Sequence, residues 1–205
     1  MSQFEKVRKI YIHTRKYTYV CVHLPYPHHY LGRVNDFYKY DILRKEWTRI
    51  LPNVANMTLP TSRHSHSAVV HNDSLWLFGG YDGSYRCDLF EYNFLTNIWT
   101  VVDAVGRIPR PRYRATCVAI DDFLILHGGH DGTRHLSDSH AFDLRNKRWT
   151  SLARVGNMPS SRDSHVTFVY NNSMFLFGGS AGGTAQNDMH ELFIERSEDD
   201  LIPVW

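Results

Sequence analysis

An apolar run that ends in a pair of glycines recurs three times in this chain and limits the folds it can adopt. The first copy, residues 75–83, reads Leu-Trp-Leu-Phe-Gly-Gly-Tyr-Asp-Gly. Residues 124–132 repeat it as Leu-Ile-Leu-His-Gly-Gly-His-Asp-Gly, and residues 174–180 as Met-Phe-Leu-Phe-Gly-Gly-Ser. The pairs begin at positions 79, 128 and 178, which are steps of 49 and 50 residues. A fixed period of this length indicates a repeat architecture.

Three further kinds of residue keep the same step. An arginine opens each unit, an aspartate follows each glycine pair, and a tryptophan closes the unit. They are Arg63, Arg112 and Arg162; Asp88, Asp138 and Asp188; and Trp99, Trp149 and Trp205. Because four kinds of residue share one register, the repeat is not a chance similarity.

Inside a unit, apolar and polar residues alternate with period two, which predicts strands rather than helices. In the unit at 63–103 we expect strands at 65–70, 75–78, 88–93 and 99–102, separated by turn-forming residues. The next two units follow the same pattern, and stretches with helical periodicity are absent. The sequence therefore predicts an all-β chain with one four-stranded antiparallel sheet per unit.

The apolar run, the glycine pair, the spaced aromatic residues and the closing tryptophan together resemble the kelch repeat. Kelch repeats of about 50 residues form the blades of β-propellers, so the resemblance implies a kelch-type β-propeller. The predicted propeller spans residues 35–205, with a partial unit at about 35–50 and full units at 63–103, 112–152 and 162–205. Within the family, residues 88–92 and 187–205 look most like the leucine-zipper-like transcriptional regulator group.

The start of the chain departs from this pattern. Residues 35–50 match the back half of a unit, with Trp47 in the place of Trp99, but no glycine pair precedes them. Residues 7–13 and 17–22 can form a hairpin. Residues 1–34 are therefore either a degenerate first unit or a segment foreign to the repeat.

The number of units raises the question of ring closure. Most kelch propellers have five to seven blades, whereas this chain supplies three clear units and a partial fourth. An unclosed ring leaves exposed sheet edges that invite pairing with another chain. Three alternatives are open: part of a longer propeller, a ring completed by a homo-oligomer, or an unusually small ring.

Composition excludes several classes of function. A formal net charge of +2 gives no global signal for nucleic-acid binding. No apolar segment approaches the roughly 20 residues that span a bilayer, and the charged N-terminus argues against a signal peptide. The three cysteines, Cys21, Cys87 and Cys117, suggest reduced thiols. We expect an intracellular, cytoplasmic protein.

Residues that recur once per unit are interpreted as structural. Glycine reaches backbone conformations closed to other residues and allows close approach of chains, and no helix follows that would make the glycine pairs a phosphate site. The recurring Asp and Arg residues are expected to hydrogen-bond within the architecture, and the tryptophans to pack between blades. The structural positions are Gly79, Gly80, Gly128, Gly129, Gly178, Gly179, Trp47, Trp99 and Trp149, and Asp36 joins the aspartates.

Histidines are the main candidates for a metal site. They include His28, His29, His64, His66, His127 and His130. A zinc or copper site needs three or four converging ligands, and the repeat position of His66 and His165 holds Ala115 in the second full unit, so no ring of ligands forms. In kelch proteins this position often carries a histidine that hydrogen-bonds between blades. We expect no metal, no cofactor and no catalytic residue; an enzyme of the copper-oxidase or lyase type built on a kelch propeller is the alternative.

The loops after the second strands and those entering the next unit are expected to emerge on one face of the propeller. That face is rich in Tyr, Arg and His, and Tyr and Arg are enriched at interface hot spots. The candidate partner-binding residues are Tyr81, Asp82, Tyr85, Arg86, Arg107, Arg110, Tyr113, Arg114, His130, Asp131, Arg134, His135, Arg154 and Asp163. Arginine forks suit carboxylates, so the expected partner is a protein or acidic peptide; RNA is a weaker alternative because the basic patch is short.

These observations favour a non-enzymatic protein-interaction module. By resemblance to the leucine-zipper-like regulator group, the process is expected to be substrate recruitment to a cullin-based ubiquitin ligase, although the BTB-type domain that many family members carry is not found in these 205 residues. A cytoskeletal or vesicle-traffic scaffold is a further alternative.

Overall fold

The computed structural model describes residues 8–13, 17–23, 35–51, 58–196 and 201–205, of which 8–13, 17–23, 195–196 and 201–202 are described by their backbone only. All regular structure in these residues is β-strand, as the period-two pattern predicts. No helix among them is long and apolar enough to cross a membrane.

Four sheets, each built on four antiparallel strands and numbered here in chain order, form the fold, and the third carries a short fifth strand. The first sheet contains β1 (Arg8–His13), β2 (Tyr17–His23), β3 (Phe37–Asp41) and β4 (Glu46–Arg49). The second contains β5 (Ser67–His71), β6 (Ser74–Phe78), β7 (Leu89–Asn93) and β8 (Ile98–Val101). The strands of the second sheet start and end within two residues of the predicted ones.

The third and fourth sheets repeat this arrangement. The third contains β10 (Thr116–Ile120), β11 (Phe123–His127), β12 (Ser139–Asp143) and β13 (Arg148–Ser151), with β9 (Val105–Gly106) added in parallel to β13. The fourth contains β14 (Val166–Tyr170), β15 (Ser173–Phe177), β18 (Met189–Arg196) and β19 (Leu201–Val204). A small hairpin of β16 (Ser180–Ala181) and β17 (Thr184–Ala185) lies in its loop.

The predicted N-terminal hairpin is present as β1 and β2, and both strands belong to the same sheet as β3 and β4. The long connection between β2 and β3 lies outside the described residues. Strands from both sides of residue 34 share this sheet. The division of the chain into two segments at residue 34 stays a prediction.

The sheets pack face to face in chain order, with the first strand of each sheet beside that of the next: β1 by β5, β5 by β10 and β10 by β14. Three apolar layers fill the gaps between successive sheets. In the middle layer, Trp76 and Phe78 of the second sheet meet Phe142 and Trp149 of the third. This stacking of repeated four-stranded sheets is a β-propeller architecture.

Two of the three tryptophans predicted to pack between blades are buried, and one is not. Trp99 is 8 % exposed and Trp149 is 1 % exposed, each inside one of these layers. Trp47 is 49 % exposed, so the prediction that it is a core residue is wrong. The physical reason is its place in the first sheet, because no earlier sheet among the described residues covers the face on which it lies.

The glycine pair of the second sheet has a left-handed backbone and approaches the next unit closely. Gly79 and Gly80 have φ angles of +67° and +93°, which side chains rarely tolerate. The Gly80 N–H donates to the Arg112 carbonyl oxygen of the next unit at 2.9 Å, and a Cβ on Gly79 would stand 2.8 Å from that same oxygen. The pair therefore joins neighbouring sheets through their backbones.

A candidate protein-binding loop face

The predicted loops meet because the glycine pairs turn the chain at the same end of each sheet. Backbone hydrogen bonds then tie neighbouring loops: the Arg114 N–H donates to the Ser65 carbonyl at 2.8 Å, and the Ser164 N–H donates to the Arg114 carbonyl at 3.1 Å. These three residues share one repeat position and all have a left-handed backbone, with φ near +56°. Their repetition makes this strained conformation a feature of the architecture.

Six rings form a continuous group on this surface, which we call the ring cluster. Its members are His64, Tyr81, Tyr85, Tyr113, His130 and His135. Neighbouring ring centroids lie between 4.8 Å, for His130 and His135, and 5.8 Å, for Tyr113 and His130. Every ring is partly exposed, so the cluster presents aromatic surface to solvent.

The ring cluster crosses the boundary between two repeat units. Tyr81 and Tyr85 belong to the loop after β6, whereas Tyr113 enters the third sheet, and its ring lies 5.3 Å from that of Tyr85. The Tyr85 ring also lies against Gly132 of the following loop and leaves no room there for a Cβ atom. Packing between neighbouring loops therefore holds these rings in place.

Three of the aspartates predicted to bind a partner have largely buried side chains and accept hydrogen bonds from arginines. Asp82 accepts a hydrogen bond from Arg86 at 2.7 Å, Asp131 one from Arg110 at 3.1 Å, and Asp163 one from Arg114 at 3.4 Å. Their side chains are only 5 %, 12 % and 5 % exposed. These carboxylates are thus placed to orient the arginines, and little of their surface is available to a partner. The Arg114 guanidinium also lies over the Tyr113 ring, 4.8 Å from its centroid.

Hydrogen bonding keeps two of these carboxylates, Asp82 and Asp131, ionised. Burial alone would raise the pKa of Asp82, but hydrogen bonds from Thr61 and Arg86 lower that pKa to about 2. Burial likewise opposes ionisation of Asp131, and the backbone N–H groups of Arg134 and Thr133 together with Arg110 lower its pKa. The charges of Arg86 and Arg110 are therefore partly compensated at neutral pH.

Positive charge is concentrated beside the ring cluster in a second feature, the arginine pocket. Arg110, Arg134 and Arg154 line an open pocket of about 310 Å³, together with His135, Ser137 and Ser161. Arg134 is 66 % exposed and 3.9 Å from Asp131, and Arg154 donates to the Ser137 hydroxyl at 2.9 Å. Among the described residues, one carboxylate lines the pocket, that of Asp138, and it already receives two hydrogen bonds from the buried Arg112. Three guanidinium groups around one opening suit a ligand carboxylate.

Two residues differ from what the sequence predicts for this face. Arg107 lies apart, because its backbone N–H donates to the Trp149 carbonyl oxygen at the edge of β13, and it belongs neither to the ring cluster nor to the arginine pocket. His64, considered in the sequence only as a metal ligand, is a member of the cluster. It follows Arg63 as Tyr113 follows Arg112, so the repeat register places it on this face.

Among the residues that the structure describes, no three His, Cys, Asp or Glu side chains stand close enough together to hold a metal ion. His28 and His29 lie outside those residues. His165 makes the inter-sheet hydrogen bond expected at its repeat position, 2.7 Å from the Thr116 hydroxyl.

Comparison with known proteins agrees with the geometry. The KLHDC2/KLHL20/DRC7 Kelch-repeats domain model matches residues 27–203. The leucine-zipper-like transcriptional regulator 1 homolog of Drosophila melanogaster is 29 % identical over 167 residues, which cover 77 % of this chain and 17 % of that protein. The Homo sapiens leucine-zipper-like transcriptional regulator 1 is 31 % identical over 170 residues, covering 78 % and 20 %.

A second kind of relative is also similar. Kelch domain-containing protein 10 of Bos taurus is 28 % identical over 155 residues, which cover 68 % of this chain and 35 % of that protein. The chain therefore spans between about a sixth and about a third of the length of these relatives. Kelch-repeat domains generally serve as protein-interaction modules, and their members are typically non-enzymatic. The repeat pattern, the stacked four-stranded sheets and these matches show that the chain belongs to the kelch-repeat family.

Proposed function

We propose that this chain is a non-enzymatic module that binds an acidic segment of a partner protein through its loop face. The arginine pocket carries the proposal, because three arginines line an opening whose only lining carboxylate among the described residues, Asp138, is already paired. A partner carboxylate entering this pocket receives charge-assisted hydrogen bonds, which contribute roughly 1.5–3 kcal/mol each.

The ring cluster supports the same proposal. It adjoins the pocket through His135, which belongs to both features. Rigid tyrosine and histidine rings offer apolar and polar contacts at a small entropy cost. An extended segment can therefore place an acidic side chain in the pocket and its neighbouring residues on the rings.

A quantitative pull-down from cell lysate tests the site. The native chain is compared with the triple variant R110A/R134A/R154A and with the matched control R44A/R145A/R148A, which removes three exposed arginines far from the loop face. We expect the site variant to lose partners by about tenfold or more, and the control to keep them, since one lost charge-assisted hydrogen bond corresponds to that factor.

A defined probe then tests the chemistry of the partner. Poly-glutamate should displace the captured partners from the native chain, and uncharged poly-glutamine of equal length should not. Equal capture by all three chains would move the binding site away from the loop face and favour a scaffold that uses the sheet edges.

The absence of catalysis is part of the proposal. Metal analysis of the purified chain provides the test, and stoichiometric copper or zinc would contradict the non-enzymatic assignment.

We further propose that the bound partner is a substrate delivered to a cullin-based ubiquitin ligase inside the cell. Similarity to the leucine-zipper-like regulators supports this process, and the free thiols of Cys87 and Cys117 are consistent with a reducing compartment. Depletion of the protein should lengthen the lifetime of partners that need the arginine pocket. Unchanged lifetimes would separate partner binding from degradation.

A further inference from the structure

The fourth sheet carries a large apolar face that no other described part of the chain covers. We call it the terminal face: Val166, Phe168, Tyr170, Phe175, Phe177 and Met189. Five of these side chains are exposed by between 47 % and 63 %, and Phe168 and Phe175 stack at 5.3 Å. Contiguous exposed apolar surface of this kind marks an interaction site.

The repeat shows what normally covers this face. In the third sheet, the residues in the same register as Phe168, Tyr170 and Phe175 are Val118, Ile120 and Ile125. They are 6 %, 4 % and 0 % exposed because the fourth sheet packs on them. The terminal face is therefore a sheet-docking surface without its sheet.

In the part of the chain that the structure describes, the backbone next to the terminal face also lacks the contacts that the second and third sheets make with the next unit. The N–H groups of Gly80 and Gly129 each donate to an arginine carbonyl of the next unit, at 2.9 Å in both cases. Gly179 is the equivalent residue of the fourth sheet, and its N–H has no acceptor among the described residues. A Cβ on Gly178 would meet one atom, the Gln186 carbonyl oxygen at 3.3 Å, whereas on Gly128 it would meet the next unit's Arg162 carbonyl at 2.8 Å.

The opposite end of the molecule presents the complementary surface. On the first sheet, Tyr40 and Trp47 occupy the repeat positions of Phe142 and Trp149 in the third. Trp149 is 1 % exposed against the second sheet, whereas Trp47 is 49 % exposed. The Tyr40 ring lies 4.8 Å from that of Trp47, so the two rings form one aromatic patch.

We propose that the first sheet of a second copy of this chain docks on the terminal face. The repeat register assigns the contacts. Trp76 lies 6.1 Å from Phe142, and Phe78 lies 5.4 Å from Trp149, in the layer between the second and third sheets. The same register places Phe175 against Tyr40 of the second copy, and Phe177 against its Trp47.

Two such junctions close a ring. Each copy has one terminal face and one aromatic patch, so two copies related by a two-fold axis satisfy both ends of both chains. The ring then contains eight sheets, which is more than most kelch propellers have but within the range of about four to eight blades typical of β-propellers. Both ends of the sheet stack are buried, and the loop faces of the two copies lie on one side.

Light scattering after gel filtration, over a range of protein concentrations, tests this arrangement. We expect a mass of twice the 23.9 kDa of one chain for the native protein. The variants F177E and W47E, each at an exposed position, should have the mass of one chain. The control L95E places the same charge on a 73 % exposed residue in the turn between β7 and β8, and it should keep the doubled mass.

Each other outcome contradicts the proposal. A native chain that stays a monomer at every concentration rules out the second copy as the occupant. A doubled mass in F177E shows that the terminal face is not part of the dimer contact. Loss of the dimer in F177E but not in W47E would mean that two terminal faces pair with each other. Thermal melting shows that each variant is folded, and M189E replaces F177E if the latter is not.

Discussion

At the scale of single residues, one ion pair between a buried arginine and a partly exposed aspartate is repeated in every full unit. Arg112 donates to the Gly128 carbonyl at 3.0 Å and to both oxygens of Asp138, at 2.7 and 2.8 Å. Arg63 and Arg162 do the same in their units. Burial would raise the pKa of Asp138, but hydrogen bonds from Arg112 and His140 hold that pKa well below its usual range. In its charged form, the pair therefore holds the glycine-pair carbonyl and the aspartate at the two ends of each loop together.

The planar guanidinium group of Arg112 stabilises the fold because it donates to three acceptors at once. We expect R112K to lower the free energy of unfolding by about 1–3 kcal/mol, because lysine keeps the charge but cannot serve three acceptors in the same plane. The exposed substitution R145K should change it by less than about 0.5 kcal/mol. Urea unfolding of both variants measures the difference, and equal midpoints would show that charge alone suffices.

At the scale of elements, two buried histidines lie side by side in the layer between the third and fourth sheets. His127 replaces the Phe78 of the second sheet, its Nδ1 lies 2.9 Å from the Ser139 hydroxyl, and its ring lies 5.5 Å from that of His165. Burial is the main cause that lowers the pKa of both, and it brings that of His165 to about 4. Both rings are therefore neutral in the folded protein near neutral pH.

This layer should weaken in mild acid. Between about pH 6.5 and 4, the unfolded chain binds protons at these histidines that the folded chain excludes, so the free energy of unfolding falls as the pH falls. Above pH 6.5 both states are unprotonated at these sites and the effect vanishes. A tenfold difference in proton affinity between the folded and unfolded states corresponds to about 1.4 kcal/mol. The free energy of unfolding therefore falls by roughly a few kcal/mol over this pH range.

The variant H127F isolates the contribution of one ring, because phenylalanine already stands at this repeat position in the second sheet. We expect a shallower fall in urea stability between pH 6.5 and 4 than in the native chain. If H127F retains the native slope, protonation of other groups causes the acid sensitivity.

At the scale of the whole molecule, protection should decrease toward the fourth sheet. All side chains of β11 from Leu124 to His127 are at most 1 % exposed, whereas every side chain of β14 is at least partly exposed. Hydrogen exchange of the dilute monomer should therefore be slowest in β11 and fast in β14. Raising the concentration should slow exchange in β14 if a second copy covers the terminal face, and leave β11 unchanged. Uniform protection along the chain would contradict this gradient.

Much of this architecture follows from the sequence, because the repeat is a local signal copied three times. The strands of the full units follow from alternation and from the glycine pairs, and the Arg–Asp pairs with their buried arginines follow from their shared step. Short elements such as β9 and the β16–β17 hairpin do not, since their pairing depends on how a loop folds back in space.

The contacts on the loop face were only partly predictable from the sequence, because they also depend on how the loops fold in space. Sequence position places Tyr81, Tyr113 and His130 on one surface, but only the folded loops bring their rings within contact. Likewise, the compensation of Arg86 by Asp82, in contrast to the open pocket around Arg134 and Arg154, depends on side-chain geometry.

The sequence by itself determined the family, the repeat unit and the residues that build each sheet, because those depend on short-range periodicity. Only the tertiary structure decided which faces are covered. Trp47 and Trp149 occupy the same repeat position, yet one is half exposed and the other is buried. The difference arises because burial depends on the neighbouring sheet, and a residue's own repeat unit contains no information about that neighbour.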